Sequence, residues 1–139
     1  MTLPERLESG TVGVPGIIAL HEGIKHICLY GMENIQEKCR FLENRVTTEL
    51  SGIQGVTVYG KTKNKVSTVL FNIDKLHSEE VSLYLSDKGI CVRGGLHCAP
   101  LCHKALGTSE KGGVRVSMSH FNTVEDVDFF IEQVKKTAT

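Results

Sequence analysis

Eleven residues constrain this chain more than any others: Arg93-Gly94-Gly95-Leu96-His97-Cys98-Ala99-Pro100-Leu101-Cys102-His103. The paired glycines admit positive φ and close backbone approach, so the chain can turn sharply after Arg93. Pro100 biases the residue before it away from helix and delays regular helix until about Leu101. His97 and Cys98 are therefore expected on a tight, partly exposed loop whose ends are held by regular structure. A thiol with a histidine beside it and the cationic Arg93 near it has the surroundings of a reactive nucleophile. The competing reading is a buried loop cysteine that happens to neighbour a histidine, because free cysteine is so often core.

A chain of 139 residues is long enough for one domain with a real core. Its 16 basic and 16 acidic side chains cancel, with no long like-charged block. The densest basic run, 60–65, contains Gly60 and Asn64 and reads as a solvated turn. That balance argues against nucleic acid or an anionic membrane as the partner. No apolar stretch approaches a membrane span, and the first residues do not read as a signal peptide. Five irregularly spaced cysteines fit reduced thiols in a cytoplasm rather than a disulfide framework. Tryptophan is absent and aromatics are few, so Val, Ile and Leu must supply most of the core.

Residues 1–14 lack periodicity and read as extended. Pro15 suits the first turn of a helix whose Ile17, Leu20, Ile24 and Ile27 share one face, ending at Gly31. A second helix over 33–50 carries the stripe Ile35, Cys39, Leu42, Val46 and Leu50. Cys39 belongs to that stripe and Cys28 adjoins the first, so both read as core. Strands are expected at 56–59 and 66–73. Ser78 is the expected cap of a third helix, with Glu79 and Glu80 in its first turn and Gly89 just beyond its end. A strand over 90–93 leads into the cysteine loop, followed by a short helix over 101–106. After Gly112-Gly113 come a strand over 114–118 and a helix capped by Asn122 or Thr123. The inner face of that helix is Val124, Val127, Phe130, Ile131 and Val134. This order predicts an α+β, two-layer sandwich, with a small, mostly antiparallel sheet and helices on one face.

In Val114-Arg115-Val116-Ser117-Met118 the apolar residues share one face, so Arg115 and Ser117 point the other way. The same parity sets Arg93 opposite Ile90 and Val92. If both strands lie in one sheet, two arginines project from its non-core side near the cysteine loop. Arginine suits the bidentate holding of a carboxylate, although solvated surface arginines would show the same parity.

At these residues the sequence resembles the C-terminal domain of the class V aminotransferase-like, pyridoxal-phosphate-dependent cysteine desulfurases. The resemblance runs over about 6–136. It is strongest in RGGLHCA at 93–99 and in GVRVSMSHFNTVEDVDFFIEQV downstream, with a weaker anchor in ESGTVGVPGIIAL. It implies the small C-terminal domain of a fold type I transferase, acting as a dimer, with Cys98 as the catalytic nucleophile. In that family the enzyme thiolate attacks the sulfur of substrate cysteine, alanine is released, and a persulfide remains on the enzyme. The resemblance further implies that Arg115 grips the substrate carboxylate, with Arg93 and His97 also substrate-binding. Gly10 and Thr11 match a pair that meets the cofactor phosphate across a dimer interface. Val12, Gly13 and Val14 stand where the family has Pro-Asn-Thr, and Leu96 stands where many relatives are polar.

By the same resemblance, the partners are L-cysteine or a related amino acid, a sulfur-acceptor protein, a homodimer partner and a large pyridoxal phosphate domain upstream. The cofactor lysine belongs to that upstream domain, so no covalent attachment of the cofactor to this chain alone is expected. Lys104 after His103 reads as a surface lysine. Two other readings stay open: a zinc-binding or thiol redox module built on His97, Cys98, Cys102 and His103, and a non-catalytic dimerisation or interaction domain.

Overall fold

A computed structural model describes residues 3–7, 10–60 and 66–138. The basic turn expected at 60–65 falls, over 61–65, outside the described residues. The chain divides into two compact units, residues 1–35 and 36–139.

In the first unit a short 3-10 turn, Glu5–Leu7, precedes helix α1, Val14–Tyr30. Pro15 sits in its first turn as expected, and the Gly31 N–H closes the helix on the Ile27 carbonyl at 2.9 Å. The apolar stripe is present but uncovered: α1 has no buried residue, with Ile17 and Leu20 56% and 65% exposed. Cys28 is exposed with it, against the expectation of a core position.

The second unit holds helix α2 (Met32–Ser51, from its fifth residue on) and strand β1 (Val56–Tyr59). Strand β2 (Thr68–Ile73) and helix α3 (Ser78–Asp87) follow. Helix α4 (Pro100–Leu106), strand β3 (Val114–Ser117) and helix α5 (Val124–Ala138) complete it. The sheet order is β1-β2-β3, antiparallel throughout, with Val58 opposite Phe71 and Phe71 opposite Val114. These residues alternate with Tyr59, Leu70 and Arg115 on the other face, as a period of two requires. The inner face packs with Leu42, Val46 and Leu50 of α2, Val81 and Leu85 of α3, and Phe130 and Val134 of α5 in one core. Phe71 and Phe130 meet edge to face, 5.9 Å between ring centroids. The α+β two-layer expectation is met. Among the described residues no helix is long and apolar enough to cross a membrane.

Local chemistry explains the element ends. Thr123 and Asp126 cap α5 reciprocally, the Asp126 N–H on the Thr123 hydroxyl at 3.2 Å and the Thr123 N–H on the Asp126 carboxylate at 3.0 Å. Asn122 instead accepts the Ser119 N–H. Two expectations need correction. Ser78 does not cap α3: His77 precedes the helix, its N–H donating to Glu80 at 2.8 Å. The Ser78 hydroxyl is directed inward, donating to the Lys111 carbonyl at 2.5 Å and accepting the Gly95 N–H at 3.1 Å. Residues 90–93 do not form a strand either. They add one bridge to β3, Arg93 opposite Arg115, followed only by the Gly113 N–H on the Gly95 carbonyl at 3.1 Å before the chain turns away.

That turn exists because nothing larger than glycine fits. A Cβ on Gly94 would lie 2.5 Å from the Ser78 carbonyl oxygen, and one on Gly112 would lie 2.7 Å from the Gly95 carbonyl carbon. The 93–95 segment is thus wedged between α3 and the 111–113 turn by backbone-to-backbone contact. Gly94→Ala is expected to destabilise the chain by about 1–3 kcal/mol through overpacking. Urea unfolding monitored by circular dichroism measures this, and an unchanged midpoint would count against the wedge.

Candidate active site

Arg93 and Arg115 form a reciprocal backbone pair. The Arg93 N–H donates to the Arg115 carbonyl at 3.0 Å, and the Arg115 N–H donates to the Arg93 carbonyl at 2.8 Å. Directly opposed residues of an antiparallel pair send their side chains to the same face. The core side of β3 is taken by buried Val114 and Val116, so both guanidinium groups project from the outer face. Like charges directly opposite each other are destabilising by some tenths of a kcal/mol to about 1 kcal/mol. Among the described residues neither arginine makes a salt bridge that would offset this. Two unpaired guanidinium groups held side by side are a natural seat for an anion, and their planar forks suit a carboxylate.

The same Arg93 carbonyl accepts a second bond, from His97 Nε2 at 2.9 Å. A carbonyl only accepts, so His97 carries its proton on Nε2, and the neutral ring keeps its lone pair on Nδ1. The His97 pKa is lowered, first by burial and then by the positive Arg115, His103 and Arg93, while the bond to the Arg93 carbonyl opposes the shift.

Cys98 follows on a strained turn. His97 and Cys98 both have left-handed backbone, φ 53° and 57°, closed by the Ala99 N–H on the Leu96 carbonyl at 2.9 Å. Two left-handed central residues describe a type I′ turn, which ordinarily takes Asn-Gly. Each non-glycine residue held there costs roughly 1–2 kcal/mol. The cost persists because the Gly94 wedge fixes one end, α4 begins at Pro100 at the other, and His97 is tied to Arg93 between them. The product is an exposed thiol on a rigid turn.

The expected site residues of the second unit therefore come together: Arg93 and Arg115 by register, and His97 to Arg93 by a hydrogen bond. Cys98 joins them through its turn. Gly10 and Thr11 belong to the first unit, where both are exposed and Gly10 has φ 86° with open space around it. Cys102 is exposed on α4, and His103 is buried with Nδ1 at 2.8 Å from the Thr108 hydroxyl. Its ring is buried, whereas Cys98 and Cys102 are exposed, and among the described residues no three His, Cys, Asp or Glu converge on a metal-holding arrangement. The zinc reading of His97, Cys98, Cys102 and His103 is set aside on that geometry. Cys91 is exposed, on the same parity as Arg93. Sequence reasoning missed the Ser78 contacts, since a hydroxyl gives no sign of partners 17 and 33 residues away, and the Thr108 contact with His103 five residues back.

A cleft of about 410 Å³ is lined by Val46, Ile90, Cys91, Met118 and Phe130 among others. It holds neither Cys98 nor an arginine, and the two arginines lie on the outer sheet face instead.

The model of the aminotransferase class-V family matches residues 1–130. A probable cysteine desulfurase of Methanothermobacter thermautotrophicus is 32% identical over 137 residues, covering 97% of this chain and 34% of that protein. One of Staphylococcus aureus is also 32% identical, with 97% and 32% covered. Among solved structures, the apo cysteine desulfurase of Thermococcus onnurineus superposes with a TM-score of 0.89 at 34% identity, covering 97% of this chain and 34% of that one. The cysteine desulfurase CsdA of Escherichia coli, in its S-sulfonic acid form, gives 0.86 at 26% identity, with 98% and 33% covered. The chain thus spans about a third of the length of the relatives it matches. A family model covering nearly the whole chain, and a fold shared with cysteine desulfurases, place it: the chain belongs to the class-V aminotransferase family.

Proposed function

We propose that this chain is the C-terminal, nucleophile-bearing part of a pyridoxal-phosphate-dependent cysteine desulfurase, with Cys98 receiving the sulfur. The observation that carries the reading is the display of an exposed thiol on a strained turn tied to a paired-arginine anion seat. A larger domain, and a second copy of the enzyme, would complete the site. The uncovered apolar stripe of α1 and the one-third span of the relatives support that arrangement.

The residues have a division of labour. Arg115 and Arg93 hold the carboxylate of L-cysteine or a close analogue, which fixes the amino acid relative to the turn. Neutral His97, with its free Nδ1, takes the proton of the Cys98 thiol. The thiolate then attacks the substrate sulfur: the S–S bond forms as the substrate Cβ–S bond breaks, the electron pair stays on carbon, and a proton there completes alanine. The persulfide left on Cys98 is exposed and open to an acceptor protein. Gly10 and Thr11, exposed with open space at Gly10, suit the phosphate end of the cofactor. Pyridoxal phosphate, when bound, supplies the electron sink that labilises the substrate.

The alternative of a purely non-catalytic interaction domain leaves the unpaired arginines and the strained turn without a purpose. Their combined cost favours chemistry.

Three outcomes are expected. Accessibility alone does not rank the thiols, since Cys28, Cys91, Cys98 and Cys102 are all exposed. Limited iodoacetamide labelling mapped by peptide mass should nonetheless modify Cys98 first, and first labelling at Cys102 would remove Cys98 from the nucleophile's role. In the complete cofactor-loaded enzyme, Arg115→Lys should lower kcat/KM for L-cysteine about 10- to 100-fold, the scale of one charge-assisted bidentate contact; an unchanged value would take Arg115 out of the site. Because the His97 pKa is lowered on folding, the unfolded chain takes up its proton first as pH falls below about 6.5. Stability is full above that pH and declines below it, until the folded ring is protonated too. His97→Asn should lessen this decline in urea midpoints measured between about pH 7.5 and 5, and an identical decline would contradict the assigned neutral state.

A further inference from the structure

His103 and Thr108 are two of the few buried polar side chains, 2% and 4% exposed, and the desulfurase reading assigns them no task. They lie at the end of α4, where Gly107 adopts φ 71° and the Thr108 N–H closes the helix on the His103 carbonyl at 2.8 Å. That backbone bond already satisfies the helix end. The Thr108 hydroxyl adds something else: it sits 2.8 Å from His103 Nδ1 and 3.4 Å from the His103 carbonyl. Whichever of the two donates across the short contact, it holds the imidazole in one ring plane and one protonation pattern. The locked ring lies against His97, 5.3 Å between centroids and 59° between planes.

We propose that the buried Thr108–His103 pair positions the Cys98 turn, its fixed imidazole holding the His97 ring on the Arg93 carbonyl. This rests on the reading of Cys98 as the nucleophile. Without the Thr108 hydroxyl the His103 ring is free to rotate, and His97 loses the wall it packs against. The His97 bond to Arg93 is the side-chain tie across a turn whose two central residues are both left-handed, so its loosening lets the turn relax. Ring nitrogen protonation set by the partner of the other nitrogen is a general way of orienting a working histidine. Here the ordering passes through two rings rather than one. Both residues are positioning residues, since neither is placed on substrate.

The test compares Thr108→Val, which keeps the shape and the helix-closing N–H, with Thr108→Ser, which keeps the hydroxyl. Two readouts are followed in the 139-residue chain. Iodoacetamide labelling gives the rate at Cys98 relative to Cys28 and Cys91, exposed thiols that are not part of the turn. Nitrogen-15 spectra of the imidazole rings give the tautomers of His97 and His103. The valine variant should slow Cys98 relative to the references by about three- to tenfold, the equivalent of one hydrogen bond. It should also move His97 from the pure Nε2–H form to a mixture, and serine should restore both readouts. An unchanged rate ratio with an unchanged His97 tautomer overturns the inference. A slowing shared by all three cysteines, or no rescue by serine, overturns it as well. Should the valine variant fail to fold, the unmodified chain decides: a single tautomer at His103 with Nε2–H at His97 supports the pair, and a mixture of tautomers at either ring refutes it. If Cys98 is not the fastest thiol of the unmodified chain, the nucleophile reading falls, while the His97 tautomer in the valine variant still reports on the positioning.

Discussion

The reciprocal pair of backbone hydrogen bonds between Arg93 and Arg115 is the contact on which the rest of the site depends. It attaches an otherwise irregular segment to the edge strand by one reciprocal rung, with the Gly113 N–H on the Gly95 carbonyl beside it. That rung sets two guanidinium groups side by side on the outer face of the sheet. It also leaves the Arg93 carbonyl with a second lone pair, which His97 uses. One peptide group thus couples the anion seat to the turn that carries Cys98. Any shift of the 93–95 segment would move the arginine, the histidine and the thiol together.

Holding that rung in place requires a close approach that only glycine permits. Gly94 lies against the α3 backbone and Gly112 against Gly95, at distances a methyl group cannot share. Ser78 completes the joint, its one hydroxyl bonding both the Gly95 N–H and the Lys111 carbonyl. A buried backbone group left unpaired costs about 1–3 kcal/mol, so this serine contributes more than the helix cap it was expected to be. The local strain at His97 and Cys98 and the repulsion of paired arginines are unfavourable terms of a few kcal/mol together. The core beneath, with Phe71, Val69 and Val114 fully buried, offsets them.

The cysteine-bearing turn shows how a site can be rigid without being buried. Its outer surface is solvent, and its ordering comes from below and from its ends. Tetrahedral metal binding by the same residues would require His103 to face outward with Cys98 and Cys102. Burial of that ring against Thr108 gives it a different partner. A composition of two histidines and two cysteines is therefore compatible with several chemistries, and orientation chooses among them.

Much of this was legible in the residues. Apolar periodicity marked α2, α5 and the three strands, because a buried face repeats at 3.6 or 2 residues whatever the tertiary context. Parity placed Arg115 off the core, and the glycine pair with Pro100 marked a tight exposed turn. Contacts between distant segments were not legible. Nothing near Ser78 announces Lys111, and nothing near Arg93 announces that Arg115 lies opposite it. The stripe of α1 reads as buried by the same periodicity that succeeded for α2, yet it is uncovered, since a pattern records suitability for burial and not what lies against it. The sequence by itself determined which residues are apolar, where the chain must turn, and which side chains can do chemistry. Only the tertiary structure decided which of those side chains meet, because pairing across a sheet and packing of backbone on backbone depend on how segments distant in sequence close around the core of the second unit.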